Sequence, residues 1–198
     1  MNKDLNLSAI VMRKKPGYKS CKKHKIFDNL LKQKFNVDEK NKIWCTDFTY
    51  MRQPNGKFRY NCTIMDLFDR SAIASVNSDY INTELAIETL TEALKKEKPN
   101  NGILLHSDQG VQYTSWEFVN FCKDNGVIQS MSKTGCPYDN APMERFYNTF
   151  KNCFYYRYTF ESVEQLDEMT KQYINWYNYV RPHSTNNYMT PMEFRYRA

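Results

Sequence analysis

From residue 42 onward, short apolar runs rich in β-branched and aromatic residues alternate with longer stretches whose apolar residues recur every three or four positions. Residues 43–51, 58–65 and 71–78 read as three strands, and the first two are separated by the hairpin signal Pro54-Asn-Gly56. Residues 82–98 predict a helix, with Leu85, Ala86, Leu90, Ala93 and Leu94 on one face and Pro99 beyond its end. A short buried strand over 102–107 and a helix over 115–125 that stops at Gly126 come next, then a fifth strand over 127–131. A polar loop covers 132–141. Pro142 suits the first turn of a helix reaching about residue 156, and Ser162 with Gln165 resembles a capping box opening a last helix to 179. Upstream, residues 27–35 predict a short helix with Phe27, Leu30, Leu31 and Phe35 on one face.

The order β-β-β-α-β-α-β-α-α is an antiparallel meander followed by crossover units. It predicts an α/β fold, a mixed five-stranded sheet flanked by helices, with the first and fourth strands as neighbours. At 198 residues and 41% apolar content, the chain suits one domain with a tail. No apolar run is long enough to span a membrane. The opening residues lack the apolar core of a signal peptide, and the six cysteines form no Cys-x-x-Cys pair, so the expectation is reduced thiols in a cytoplasmic protein. Cys21 and His24 make half of a zinc spacing without a second half nearby. Charge divides the chain at about residue 42. Residues 1–42 hold twelve Lys/Arg against four acids, and the rest holds sixteen against eighteen. Residues 1–41 are therefore expected to be a basic arm, with 42–198 as the core. Arg13, Lys14 and Lys15 suit a polyanion, and the same charge also suits a solvated terminus.

Three acids stand out as candidate chemistry. Asp47 lies within the first strand, Asp108 at the end of the fourth, and Glu144 in the first turn of the helix after Pro142. Carboxylate oxygens that converge suit a divalent cation such as Mg2+ or Mn2+, and two such ions suffice for phosphodiester chemistry. Spacing alone does not single these three out, because Asp66, Asp69 and Asp139 compete. Asp66 and Asp69 read as turn residues after a strand, and Asp139 as helix-entry chemistry.

The residues around the three acids carry a resemblance. The segments are Trp44-Cys-Thr-Asp-Phe-Thr-Tyr50, Asp66-Leu-Phe-Asp-Arg70, His106-Ser-Asp-Gln-Gly-Val-Gln-Tyr-Thr-Ser115, Asp139-Asn-Ala-Pro-Met-Glu144 and Tyr177-Asn-Tyr-Val-Arg-Pro-His183. Together they resemble the integrase-core superfamily, and within it the Asp-Asp-Glu transposases of bacterial insertion sequences. The resemblance implies a ribonuclease H-like fold, metal-dependent DNA cleavage and strand transfer, and metal-binding roles for Asp47, Asp108 and Glu144. It also implies DNA as partner and a multimer in the synaptic complex. Lys151, seven residues after Glu144 on the same helix face, corresponds to a basic residue that approaches DNA, and a solvated helix lysine is its alternative reading. Aromatic residues after Glu144, interleaved with Arg145, Lys151 and Arg157, suit base stacking, while Phe146, Phe150 and Phe154 suit core packing. His106 suits either support of the site or an ordinary strand position. His183 suits a structural role, and Gln109 with Gly110 a tight turn exposing Asp108. Relatives carry a helix-turn-helix region ahead of the core, and residues 6–15 resemble only its last segment. A catalytically silent DNA-binding or multimerisation fragment is therefore a second reading, and a nuclease acting on other nucleic acids a third.

Overall fold

The computed structural model describes residues 25–100 and 102–197, so the arm residues Arg13, Lys14 and Lys15, and the pair Cys21 and His24, lie outside the described residues. Strands β1 (Ile43–Arg52), β2 (Phe58–Asp66) and β3 (Ala72–Ser78) form the antiparallel meander. Helix α1 (Thr83–Glu97) crosses to β4 (Ile103–Ser107). The short α2 (Val111–Thr114) and α3 (Trp116–Asp124) cross to β5 (Val127–Met131), and α4 (Ala141–Cys153), α5 (Val163–Tyr179) and α6 (Pro191–Arg197) follow. The sheet order is β3-β2-β1-β4-β5, with β4 parallel to both β1 and β5, as the alternation of elements predicts.

Period-two alternation sends successive β1 side chains to opposite layers. Trp44 joins Ile64, Leu105, Leu90 and Phe118 on the α1–α3 side, and Cys45 joins Met65, Phe146, Phe150 and Tyr173 on the α4–α5 side. Burying each aromatic side chain contributes about 1.5–3 kcal/mol. In the β1–β2 turn, the Gln53 amide donates to Lys57 O at 2.8 Å, and Gly56 holds φ +81°, which glycine adopts without Cβ strain. Asn82 caps α1 by accepting from Leu85 N at 3.1 Å, and Ser162 caps α5 by accepting from Gln165 N at 3.1 Å. The box at Ser162 closes one residue early: Gln165 Oε1 accepts from Glu161 N at 2.6 Å.

The helix expected over 27–35 does not form. Lys32 and Gln33 hold φ of 47° and 58°, which interrupts a right-handed helix. The amides of Leu30 and Leu31 donate instead to Ser130 Oγ at 2.9 and 3.3 Å. The segment is a strap across the sheet's end, with Leu31 in the α4–α5 core, Phe27 against the opposite core and Leu30 51% exposed. Helix α4 also ends sooner than its pattern predicts. Phe154 leaves helical geometry at φ −128° and ψ −76°, buries its ring and stacks on Tyr173 at 5.4 Å, and a 3-10 turn covers Tyr155–Arg157.

Two helices were not expected, α2 and α6. A signal for α6 is present in Thr190-Pro-Met-Glu193, which forms a complete capping box: Glu193 N donates to Thr190 Oγ1 at 3.2 Å and Thr190 N to Glu193 Oε2 at 2.9 Å. Thr190→Ala is expected to cost about 1 kcal/mol. In thermal melts that corresponds to a fall of about 2–4 °C in midpoint.

Candidate active site

Parallel pairing of β1 and β4 runs to Cys45 opposite His106, so the next residues of like orientation are Asp47 and Asp108. Both carboxylates sit where β4 stops and β1 continues. Asp47 is half-buried, and its Oδ1 accepts from the Phe48 amide at 2.7 Å. Asp108 is exposed, and its Oδ1 accepts from Gly110 N at 2.8 Å. A Cβ at position 110 would stand 2.9 Å from that oxygen and 3.0 Å from Gln112 Oε1, so any larger residue there would push the Asp108 carboxylate aside. Gln109 ties the turn to the following loop, donating to Ser132 O at 3.0 Å and accepting from Thr134 Oγ1 at 2.9 Å. Beneath the two acids, Tyr113 OH lies 3.0 Å from Thr46 Oγ1. Burial, then Cys62 and the carboxylates of Asp47 and Asp108, push this hydroxyl well above its ordinary range, so both acids act on one buried group.

Glu144 is exposed in the first turn of α4. Its neighbours on the helix face bracket Asp47. Asn140, one turn before, donates from Nδ2 to Thr46 O at 3.2 Å, and Tyr147, almost one turn after, donates to Asp47 O at 2.8 Å. Two turns after Glu144, Lys151 brings Nζ 4.6 Å from the Tyr50 ring centre. Helix α4 therefore runs along β1, with Glu144 at the level of Asp47. Arg145 is exposed beside it. Phe146, Phe150 and Phe154 are core residues, and Tyr147 is buried with them.

The competing acids are engaged elsewhere. Asp66 and Asp69 are fully buried and share the guanidinium of Arg195. Asp139 is buried and accepts from Gln33 Nε2 at 2.8 Å and Lys133 N at 2.9 Å, bonds that hold its carboxyl below the usual range. The sequence reading of Asp66 and Asp69 as turn residues missed their ion pair, because Arg195 lies more than 120 positions away.

His106 belongs to the core. Ser130 Oγ accepts from the Leu30 and Leu31 amides, so its own hydrogen points to His106 Nδ1 at 2.9 Å, and Nε2–H then faces Ser132 Oγ at 3.1 Å. This is a neutral tautomer, and burial lowers the imidazole pKa to about 4. Burial and then Arg181, which donates to His183 Nε2 at 2.7 Å, likewise hold His183 at about 4. The sign follows from linkage: a base depressed from 6.5 to about 4 stabilises the fold fully above pH 6.5, and that stability drains away as pH falls toward 4. His106→Asn is expected to flatten the decline in melting temperature between pH 6.5 and 4, read in melts across that range.

The donor chemistry suits a hard cation. The exposed acids offer oxygen only, and burial pushes the Cys62 and Cys122 thiols up to about 11 and about 12, keeping them protonated. Among the described residues, none donates a hydrogen bond to the buried Asn140 Oδ1 beside Thr46, an acceptor that suits a water or ligand at the Asp47 end of the cleft. Among the described residues, no three carboxylate, imidazole or thiol groups stand close enough together to enclose a metal ion. The same residues contain no helix long and apolar enough to cross a membrane.

Comparison with known proteins gives the family and the fold. A family model described as "Integrase core domain" matches residues 37–137, and a second of the same description matches 125–191. The chain is 35% identical over 167 residues to the transposase for insertion sequence element IS904 of Lactococcus lactis, covering 84% of this chain and 66% of that protein. It is 34% identical to the putative transposase InsK for IS150 of Escherichia coli, covering 84% of this chain and 59% of that one. An uncharacterized transposase-like protein of Haemophilus influenzae is 35% identical, with 86% and 78% covered. The chain thus spans less than two thirds of the length of the two insertion-sequence transposases. Among solved structures, a simian T-cell lymphotropic virus intasome chain aligns with TM-score 0.72 at 17% identity, covering 87% of this chain and 59% of that chain. The HTLV-2 integrase catalytic core domain in complex with magnesium aligns with TM-score 0.64 at 16% identity, covering 79% and 97%. These likenesses give the fold, which is ribonuclease H-like.

Proposed function

Since the chain belongs to the integrase core domain family found in bacterial insertion-sequence transposases, we propose that it is a transposase catalytic core that cleaves DNA at an element end and joins it to a target. The observation that carries this reading is the juxtaposition of Asp47 and Asp108 on parallel neighbours β1 and β4, with Glu144 on the helix hydrogen-bonded to β1 at Thr46 and Asp47. Asp47, Asp108 and Glu144 would hold Mg2+ or Mn2+, which when bound lowers the pKa of water and offsets charge at a phosphodiester.

The rest is done by the chain's own groups. Gly110 N orients Asp108, the Phe48 amide orients Asp47, and Tyr147 fixes the β1 carbonyl at Asp47, so two of the acids are preorganised. Lys151 and Arg145 would meet phosphates approaching along α4. The basic arm of residues 1–41, with Arg13, Lys14 and Lys15, would add salt-sensitive, sequence-independent affinity. Pairing of two element ends would bring at least two copies together.

The test is joining of a pre-nicked end oligonucleotide to target DNA, with Mn2+ and with chelator. Metal-dependent joining is expected. DNA binding with a steep salt dependence but no metal-dependent joining or nicking would favour the silent-fragment reading instead.

A further inference from the structure

The outer half of the β1–β2 hairpin carries an aromatic surface that the carboxylate site does not use. Pairing with β4 covers β1 only from Ile43 to Cys45, so beyond that point, among the described residues, β1 has β2 on one side and no strand on the other. Along this stretch the side chains facing away from the Asp47 side include Tyr50 of β1 and Phe58 and Tyr60 of β2. Tyr50 and Phe58 are 45% and 43% exposed, with ring centres 5.4 Å apart edge to face, and Tyr60 continues the row 6.4 Å further on.

Cross-strand aromatic pairs stabilise hairpins, and that alone would account for the row. It does not account for the cations. Lys151 Nζ lies 4.6 Å from the Tyr50 ring centre, and the Arg52 guanidinium lies 5.7 Å from that of Phe58. Among the described residues Arg52 forms no ion pair with an acid. Exposed rings interleaved with cations are the chemistry that binds single strands: bases stack on the rings and phosphates meet the charges.

We propose that Tyr50 and Phe58, flanked by Lys151 and Arg52, form a stacking platform for an unpaired DNA strand at the outer end of the β1–β2 hairpin. Tyr50 is three residues along β1 from Asp47, about 10 Å, and faces the other side of the sheet. The platform rests on the reading of this chain as a DNA strand-transfer core, and it names which DNA the surface takes: unpaired bases rather than duplex.

The experiment is fluorescence anisotropy on the full chain, with a labelled oligothymidine strand and a duplex of equal length. The Tyr50→Ile/Phe58→Ile pair keeps strand propensity and removes both rings. Single-strand affinity is expected to fall about ten- to a hundredfold, while duplex affinity and the salt slope stay within about twofold. The Tyr50→Trp/Phe58→Trp pair is expected to keep single-strand affinity, which separates stacking from hairpin stability. Unchanged single-strand affinity in the isoleucine pair, or equal losses on both DNAs, overturns the platform. Metal-dependent joining by the wild-type chain reports on the strand-transfer reading separately. Joining with no ring effect sinks the platform alone, and a ring effect without joining sinks that reading alone.

Discussion

Arg195→Ala is expected to remove about 3–5 kcal/mol of stability, since it leaves buried carboxylates without their cation. Arg195 is 4% exposed on α6, and its Nη1 donates to Asp66 Oδ2 at 3.0 Å and to Asp69 Oδ2. Its Nη2 donates to Asn41 Oδ1 at 3.0 Å and to Glu97 Oε2. One guanidinium thus ties the C-terminal helix to the end of β2, the turn after it, the end of α1 and the residues before β1. Burial works against the arginine's charge, and Asp69 first among its partners more than offsets this, so its pKa is raised. Asp66 goes the other way: burial and then Asp69 raise its carboxyl, and only its hydrogen bonds and Arg195 oppose that. Lysine would not rescue the site, because a single ammonium lacks the planar fork that reaches all four acceptors. Urea unfolding of Arg195→Ala and Arg195→Lys checks this; a loss under about 1 kcal/mol in both would mean the cluster is solvated and the account of α6 docking is wrong.

The second large effect is chemical. Asp108→Asn is expected to lower metal-dependent strand joining about a thousandfold, the equivalent of about 4 kcal/mol of transition-state stabilisation. The amide keeps the size of the side chain, and its oxygen still accepts from Gly110 N, so the turn should hold. Asp108 is exposed, and removing one of several like charges costs the fold little. Melting temperature is therefore expected to stay within a few degrees of wild type, whereas Asp66→Asn, in the Arg195 cluster, should lower it. Joining assays and melts on the same samples separate the two; Asp108→Asn joining at the wild-type rate would remove Asp108 from the chemistry.

Much of this was readable from residue pattern. The five strands fall within a residue or two of their expected bounds because β-branched runs between Gly/Pro signals leave little freedom. The pairing of β1 with β4 followed from the element order alone. What failed did so for tertiary reasons. Residues 27–35 have helical spacing, but Ser130 takes the amides that a helix would use, and no local signal announces an acceptor 99 positions away. The same holds at the site. Pattern placed Asp47, Asp108 and Glu144 on suitable elements yet could not set aside Asp66 and Asp69, because their partner Arg195 belongs to a helix the periodicity had not marked. The buried acceptor of Asn140 is likewise visible only once α4 rests on β1.

The most direct test is a crystal of this chain soaked in Mn2+ and measured at the manganese absorption edge. The three acids repel one another until a cation joins them, so a bound ion should draw the Asp108 turn and the start of α4 toward Asp47. The account predicts an anomalous peak within about 2.0–2.4 Å of carboxylate oxygens from Asp47 and Asp108, lost in Asp108→Asn. Manganese held instead by other acids, or no peak at millimolar concentrations that support joining, would contradict it.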